Sequence, residues 1–316
     1  MKKSVFLLIL MFFIYLPNVD AITNVNIDRE LTTDEYNNLK NLGLTDDDII
    51  YLSESDFNDY KDFVVGEQVT VTKYFKDVEV YTPSGYSNIQ TQEITEEEYN
   101  GSSDIVPLAS SHETNYKKLT LTLSNHLTNP TARVAVAKLH WKKVPKVKSF
   151  DLFGFYLVDG MGITQASAIQ KATEYIGNPN LACAGYMNTV TRNYEFDKLS
   201  TAWKHEEIIP LSYRGVAVAM QLYATVNVCN ESEGGVGIVV VGQNVGYDFT
   251  LMGNIASYPN STVTVNASYQ HSQQRISSSD ALKFKFNSGG YGGVFKFNNS
   301  TISGYFDNMK GVSATL

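Results

Sequence analysis

The chain has 316 residues, 43% hydrophobic and 12% aromatic, with 25 Lys+Arg against 33 Asp+Glu and a formal net charge of −8. That is enough apolar material for a real core, and it leaves no basic face of the kind a nucleic-acid-binding protein needs. Eleven acidic and three basic residues fall between Ile22 and Asp62, while residues 63–316 hold 20 basic and 21 acidic, so the acidity belongs to one short N-terminal segment.

The chain begins "MKKSVFLLILMFFIYLPNVDA". Lys2 and Lys3 precede an unbroken apolar run from Val5 to Leu16, and Pro17 ends it. The pattern predicts a secretory signal peptide over residues 1–21, cut after Ala21. The run is too short for a transmembrane anchor, which needs roughly 20 residues. The expected product is a secreted, extracellular protein with an acidic helical module over 22–62 and a β-rich body over 63–316, subdivided near 101–114.

Five carboxylates crowd "LGLTDDDIIYLSESDF" (Leu42–Phe57), at Asp46, Asp47, Asp48, Glu54 and Asp56. A calcium loop would alternate its ligands and turn on a central glycine; here three acids are consecutive. The same local grammar recurs at "LTTDEY", "LTDDDI", "LSESDF" and "ITEEEY": an apolar residue, a Ser or Thr, two residues, an acid, an apolar residue. That is a capping box behind an apolar staple, with acids at the positive end of the helix dipole. Three short helices are therefore expected before Asp62, the first with Tyr36, Leu39 and Leu42 on one face and ended by Gly43. A fourth short turn of helix is expected at Thr95.

After Phe63 the period becomes two. Val69 and Val71 alternate with Thr70 and Thr72, and a phase slip before Val78 suggests a bulge near Lys76-Asp77. "TPSGYS" (Thr82–Ser87) reads as a turn and residues 102–114 as a linker. Leu119, Leu121 and Leu123 mark a half-buried strand, and "ARVAVAKLHW" and "SFDLFGFYLV" mark two more. "ITQASAIQKATEYIGNP" reads as a helix, with Thr164 as N-cap, Ile169, Ala172 and Ile176 apolar, and Gly177 and Pro179 as stops. "GVAVAMQLYATVNVC" alternates from Val216 to Val228, "NESEGG" turns, and "VGIVVVG" returns, the clearest hairpin signal in the chain. "TVTVNASY", "LKFKF" and "VFKF" continue the strands, with "NSGGYGG" as a tight turn. The whole predicts a mainly β protein, an antiparallel sandwich-like body with a small α-helical module at its N-terminus.

Chemistry-bearing patterns are sparse. The sequence lacks G-x-S-x-G, H-E-x-x-H, P-loop and C-x-x-C motifs, and its five histidines stand at no metal-ligand spacing. No cofactor is expected. Cys183 and Cys229 are its only cysteines. In an exported chain they are expected to pair, which would stabilise by about 4 kcal/mol, the alternative being two separate thiols. "KLHWKKVPKVK" sets Lys138, His140, Lys142, Lys143, Lys146 and Lys148 in eleven residues. This is either an edge strand kept soluble by lysine or a cationic strip for an anionic cell-surface polymer, lipid head groups or a glycan.

Three stretches, "LTTDEYNNLKNLGLTDDDIIYLSESDFNDYKD", "WKKVPKVKSFDLFG" and the terminal "YQHSQQRI…GGVFKFNNS…YFDNMKGVSATL", resemble a loose group of uncharacterised exported proteins of Gram-positive-type bacteria. The resemblance touches both ends and the middle of the chain. Its motifs are structural, so it implies a location and no site. The expected function is a non-catalytic exported protein that binds a surface, glycan or protein at or outside the cell envelope. The alternatives are a secreted hydrolase with a carboxylate site, and a β-pore former, since alternating Ser/Thr-rich hairpins can insert as a closed barrel.

Overall fold

The computed structural model describes residues 29–81, 87–101, 115–142, 145, 147–176, 186–195, 203–204, 208–209, 212–222, 243–286, 294–297 and 299–316. Three helices open it: α1 (Thr33–Asn41), α2 (Asp46–Ile50) and α3 (Glu54–Tyr60). Their N-caps are Thr32, Thr45 and Ser53, whose hydroxyls accept from the backbone N–H of Glu35, Asp48 and Asp56. Glu35 and Asp48 complete reciprocal capping boxes. Gly43 breaks α1 with φ +89°, where a side chain would be strained. Tyr36 departs from the expected face: it stays half exposed, with its hydroxyl donating to Asp46 at 2.7 Å. None of these helices is long enough to stand alone. Leu39, Leu42, Leu44, Ile49, Leu52, Phe57, Tyr60 and Phe63 therefore pool one apolar face and lay it on Val134, Val136, Ile169 and Met252 of the body.

The body runs β1 (Val65–Tyr81), β2 (Ser87–Ile94), the expected short helix α4 (Glu96–Gly101), β3 (Tyr116–His126), β4 (Ala132–Trp141), β5 (Phe150–Asp159), β6 (Gly162–Ile176) and β7 (Tyr186–Glu195). It continues with β8 (Trp203–Lys204), β9 (Ile208–Ile209), β10 (Ser212–Tyr213), β11 (Gly215–Gln221), β12 (Gln243–Ala256) and β13 (Thr264–Gln270). Last come α5 (Ser278–Ala281), β14 (Phe284–Phe286), β15 (Phe295–Phe297), α6 (Ser300–Ser303) and β16 (Val312–Thr315). One sheet has the order β2-β1-β3-β4-β12-β6-β10-β9, with β7 also on β6; a second has β16-β13-β5-β11-β8, and β14 and β15 form a small pair of their own. The long ladders are antiparallel. The mainly β, antiparallel class read from the sequence is the observed one.

The two sheets enclose a core of Leu119, Leu121, Leu123, Leu139, Phe153, Phe155, Val216, Val218, Met220, Phe249, Val265 and neighbours. The helical module covers the outer face of the large sheet. A third apolar layer, with Phe284, Phe295, Ile302 and Phe306 on Leu152, Tyr156, Ala217 and Ala219, covers the outer face of the small one. Strand β11 is thus buried on both faces.

Two expectations are corrected. The predicted helix over 164–177 is strand β6, paired along its length with β12 and β7. Alanines at 166, 168 and 172 face the inter-sheet core while Ile169 lies under the helical module. Alanine's helix propensity imitated a helical stripe, and pairing on both edges overrode it. There is no bulge at Lys76-Asp77, since β1 stays in register through both positions; the irregularity lies between Val65 and Gln68. The phase slip is only apparent, because Asp77 holds an inward position in step with Phe75. Strand β11 pairs with β5 and β8, whereas β12 pairs with β4 and β6. The strands that flank the predicted hairpin therefore belong to opposite sheets, while its turn and returning arm lie outside the described residues. The turns at Thr82–Tyr86, NESEGG and NSGGYGG, the linker 102–114 and the signal segment lie outside the described residues.

Candidate functional site

Among the described residues, two buried clusters of charge stand out. The first is a cluster at the end of the sandwich where Trp141, Phe150 and Gln221 lie. Lys117 is fully buried, with Nζ 2.8 Å from Asp77 Oδ1 and 2.6 Å from Asp307 Oδ2. The ammonium sits 4.6 Å from the Trp141 ring centroid. Thr91 donates its hydroxyl to Asp77 at 2.7 Å. Trp141 Nε1 donates to the Tyr269 hydroxyl at 2.8 Å, and that hydroxyl donates to Asp151. His271 Nδ1 stands 3.0 Å from Asp151, and the backbone N–H of Ser272 donates to the same carboxylate at 2.9 Å.

These contacts tie β1, β2 and β3 of the large sheet to β5, β13 and the Asp307 loop of the small-sheet side. Burial alone would lower the Lys117 pKa, but the two carboxylates outweigh it and raise it. Burial pushes Asp307 up, helped by the charge on Asp77 and only partly offset by Lys117. His271 is raised as well: burial opposes the shift, and Asp151 overrides it. The Asp151–His271 pair has the outline of a catalytic dyad. Its side chains are 0% and 4% exposed, and the carboxylate is spent on Tyr269 and Ser272, so the pair is closed to substrate. Two carboxylates around one lysine, likewise sealed, give the hydrolase alternative no accessible acid–base pair here.

The second place is Asp48, 0% exposed beneath the helical module. Its Oδ2 accepts from the Thr45 N–H at 2.9 Å and lies 2.6 Å from Lys138 Nζ on β4. Its Oδ1 accepts from the Thr250 hydroxyl of β12 at 3.0 Å and lies 3.0 Å from Lys171 Nζ on β6. Burial by itself would raise this carboxyl; Lys138 and Lys171 hold it far below the usual carboxylate range. Asp46 is engaged with Lys40 at 2.9 Å. Among the described residues no group of three or more His, Cys, Asp or Glu is disposed to hold a metal ion.

The described members of the lysine-rich strip meet different partners. Lys138 turns inward to Asp48. His140 pairs with Asp248 at 2.7 Å, both half exposed. Lys142 donates to the Tyr99 carbonyl at 3.0 Å and sits 5.1 Å from the centroid of that ring. Lys148 lies at the entry to β5, and Lys143, Lys146, Cys183 and Cys229 lie outside the described residues. Sequence reading missed the buried cluster, although a signal was present. Lys117 is in step with Leu119 and Leu121, Asp151 with Phe153 and Phe155, and His271 with Tyr269 and Ala267. Charges in the inward phase of strands are unusual enough to demand partners.

One further geometric fact concerns the ends of strands. Gln221 pairs with Phe150, the Leu222 N–H donates to the Ser149 carbonyl at 2.7 Å, and Gln243 pairs with Tyr175. Strand β11 therefore ends, and β12 begins, at the end of the sandwich that holds the buried cluster. No described helix is long and apolar enough to cross a membrane.

No family profile matches the chain, and no curated protein matches it. Among solved structures it is similar to a pore forming protein at 10% identity, covering 66% of this chain and 82% of that one with a TM-score of 0.23. It is similar also to the Clostridium perfringens NetB toxin in the membrane inserted form, at 8% identity over 65% of this chain and 84% of that one, TM-score 0.19. A third is Clostridium perfringens delta-toxin, at 6% identity over 80% and 91%, TM-score 0.22. Overlaps this slight bear no weight, and the reading of function rests on the chain's own residues.

Proposed function

We propose that this is an exported, non-catalytic protein that acts on a surface outside the cell, and that the surface is a lipid bilayer into which it inserts a β-hairpin. One observation carries the reading. The segment with the strongest hairpin pattern joins two strands that are held in opposite sheets and do not pair with each other. A segment anchored in this way can leave as a hairpin at the loss of only the terminal β12–β6 pairs, Gln243–Tyr175 and Asn244–Glu174, and the Leu222–Ser149 bond. Its sequence suits a barrel wall. Leu222, Ala224, Val226 and Val228 alternate with Tyr223, Thr225 and Asn227, and Val236 to Val245 return after the polar turn. Leu222 to Cys229 and Val236 to Val245 give arms of about eight and about ten residues, near the 9–11 that a transmembrane β-strand needs. Export is consistent with residues 1–21.

The test is dye release from phosphatidylcholine vesicles, run beside binding to wall fragments and whole cells. Val226→Asp puts a charge on the lipid-facing side and should abolish release while leaving the soluble melting temperature unchanged. Binding to wall fragments with no release from any vesicle would replace this reading by attachment to a polymer or glycan.

A further inference from the structure

We infer that the outer face of the large sheet carries a phosphate-binding site centred on Lys118 and His140, in the open band between the helical module and α4. The inference is independent of the membrane reading above. It starts from strand register. Tyr74 of β1 pairs with Lys118 of β3, Lys118 with His140 of β4, and His140 with Asp248 of β12. All four side chains leave the sheet on the side away from the core, because their strand neighbours Phe75, Leu119, Trp141 and Phe249 point into it. They form one row across four strands, in which facing Cβ atoms lie about 5 Å apart. The next row toward the module is covered: Lys138 and Thr250 are taken by Asp48. The next row the other way is covered by α4, where the Tyr99 ring lies 6.4 Å from that of Tyr116 and 5.1 Å from Lys142 Nζ. Between them Lys118 is half-buried, and His140 and Asp248 keep 41% and 39% of their side-chain surfaces exposed.

The charges of this band do not balance. Lys138 and Lys171 have Asp48, Lys76 has Glu98, and His140 has Asp248 at 2.7 Å. The other nearby acid of α4, Glu96, accepts from the Tyr74 hydroxyl. Lys118 has no carboxylate partner among the described residues, and the side chains that face it across the strands are Tyr74 and His140. A half-buried ammonium beside an imidazole lacks a counter-ion, and like charges directly opposite cost stability. A phosphate group supplies what is missing. Its oxygens accept from the ammonium and from the ring at once, in charge-assisted hydrogen bonds. Asp248 holds the ring by Nδ1, so Nε2 is the nitrogen left for the ligand, and the protonated ring donates there. The band also has room: a Cβ on Gly246, the next outward position of β12 beyond Asp248, would meet nothing within 4 Å.

The experiment uses the full chain and inorganic phosphate, at low salt. Titration calorimetry should show saturable binding, weakened about tenfold by Lys118→Gln and by His140→Gln, since each removes a hydrogen bond to a charged group. Lys310→Gln takes the same charge from an exposed position just before β16 and should change nothing. In wild type the ring resonances of His140, identified by their loss in His140→Gln, should shift as phosphate is added, a reading that needs no variant to bind. Sedimentation with phosphatidylglycerol vesicles separates two sources of the group. Sedimentation that free phosphate and Lys118→Gln both reduce makes the phosphate that of a lipid head group. Phosphate binding without such sedimentation makes it a soluble phosphate, and either result upholds the site. Wild type that neither binds phosphate nor shifts His140 overturns the inference, as does binding that Lys118→Gln leaves intact or that Lys310→Gln weakens equally.

Discussion

Replacing Lys117 with Met tests whether the buried cluster holds the two sheets together by charge. The side chain is fully buried, and its ammonium has two carboxylates within 2.8 Å. Met fills much of the same volume and leaves Asp77 and Asp307 facing each other with only Thr91 between them. Removing one partner of a buried ionic group costs about 3–5 kcal/mol, because the remaining charge has neither water nor a counter-ion. For a chain of this size each kcal/mol shifts the melting temperature by roughly 2–3 °C, so the expected drop is roughly 6–15 °C. Thermal unfolding followed by near-ultraviolet circular dichroism reads it directly. Adding Asp77→Asn and Asp307→Asn to the variant should recover most of the loss, since a fully neutral cluster leaves no stranded charge. A melting temperature within about 3 °C of the parent for Lys117→Met alone would show that apolar packing around Trp141, rather than the ion pairs, closes this end of the sandwich.

Stability should fall as pH rises above neutrality. His271 has a folded pKa raised above its ordinary 6.5, so its contribution is complete below that value and is lost as pH climbs through the folded pKa. Asp307, also raised, acts in the same direction from its ordinary 3.8 upward, whereas Asp48, lowered, loses its contribution only in strong acid. Urea unfolding between pH 6 and 9 should show the slope, and His271→Gln should flatten its upper part. Gly253→Ala should cost about 1–3 kcal/mol by urea titration, because the added methyl would run into the Phe155 ring across the sheet interface. Lys142→Gln with Lys143→Gln and Lys146→Gln should weaken binding to anionic vesicles about a hundredfold and flatten its salt dependence, if these lysines steer the chain to lipid; equal binding across a salt series would leave them as solubilising residues. Peptide mapping of secreted protein without reductant should find Cys183 joined to Cys229; two free thiols would exclude the bond.

What could be read from the sequence was whatever a short window determines. Helix starts at Thr32, Thr45 and Ser53 are set by residues three apart, and all three are present. Alternation along Leu119, Leu121 and Leu123 gave a strand because its partners cover only one face with apolar side chains. Strand β6 was lost because its inward residues are alanines, whose small size hides the period of two. Its identity depends on β12, some 80 residues away. The Lys117 cluster was lost for a related reason. Its members, at 77, 91, 117, 151, 269, 271 and 307, are spread over four-fifths of the described chain, and no window contains two strands' worth of them.

Asp48 shows how a local rule and a long-range role share one side chain. Of three consecutive acids, Asp46 and Asp47 stand in the first turn, with Asp46 held by Lys40 at the surface. Asp48 occupies the third position, where a capping box turns the carboxylate back over the Thr45 N–H. That turn aims the group at the sheet beneath. One oxygen serves cap and Lys138 together, and the other is left for Thr250 and Lys171. The two roles separate under Asp48→Asn. The amide oxygen can still accept from Thr45, so α2 should keep its cap at a cost of a few tenths of a kcal/mol. The charge that meets two lysines is gone, and about 3 kcal/mol of docking should go with it. Hydrogen exchange should therefore show the Asp48–Ile50 amides protected as in wild type when referenced to the module's own opening, while the module as a whole exchanges far faster against the sheet. Loss of both together would mean that the cap, and not the bolt, holds this part of the protein in place.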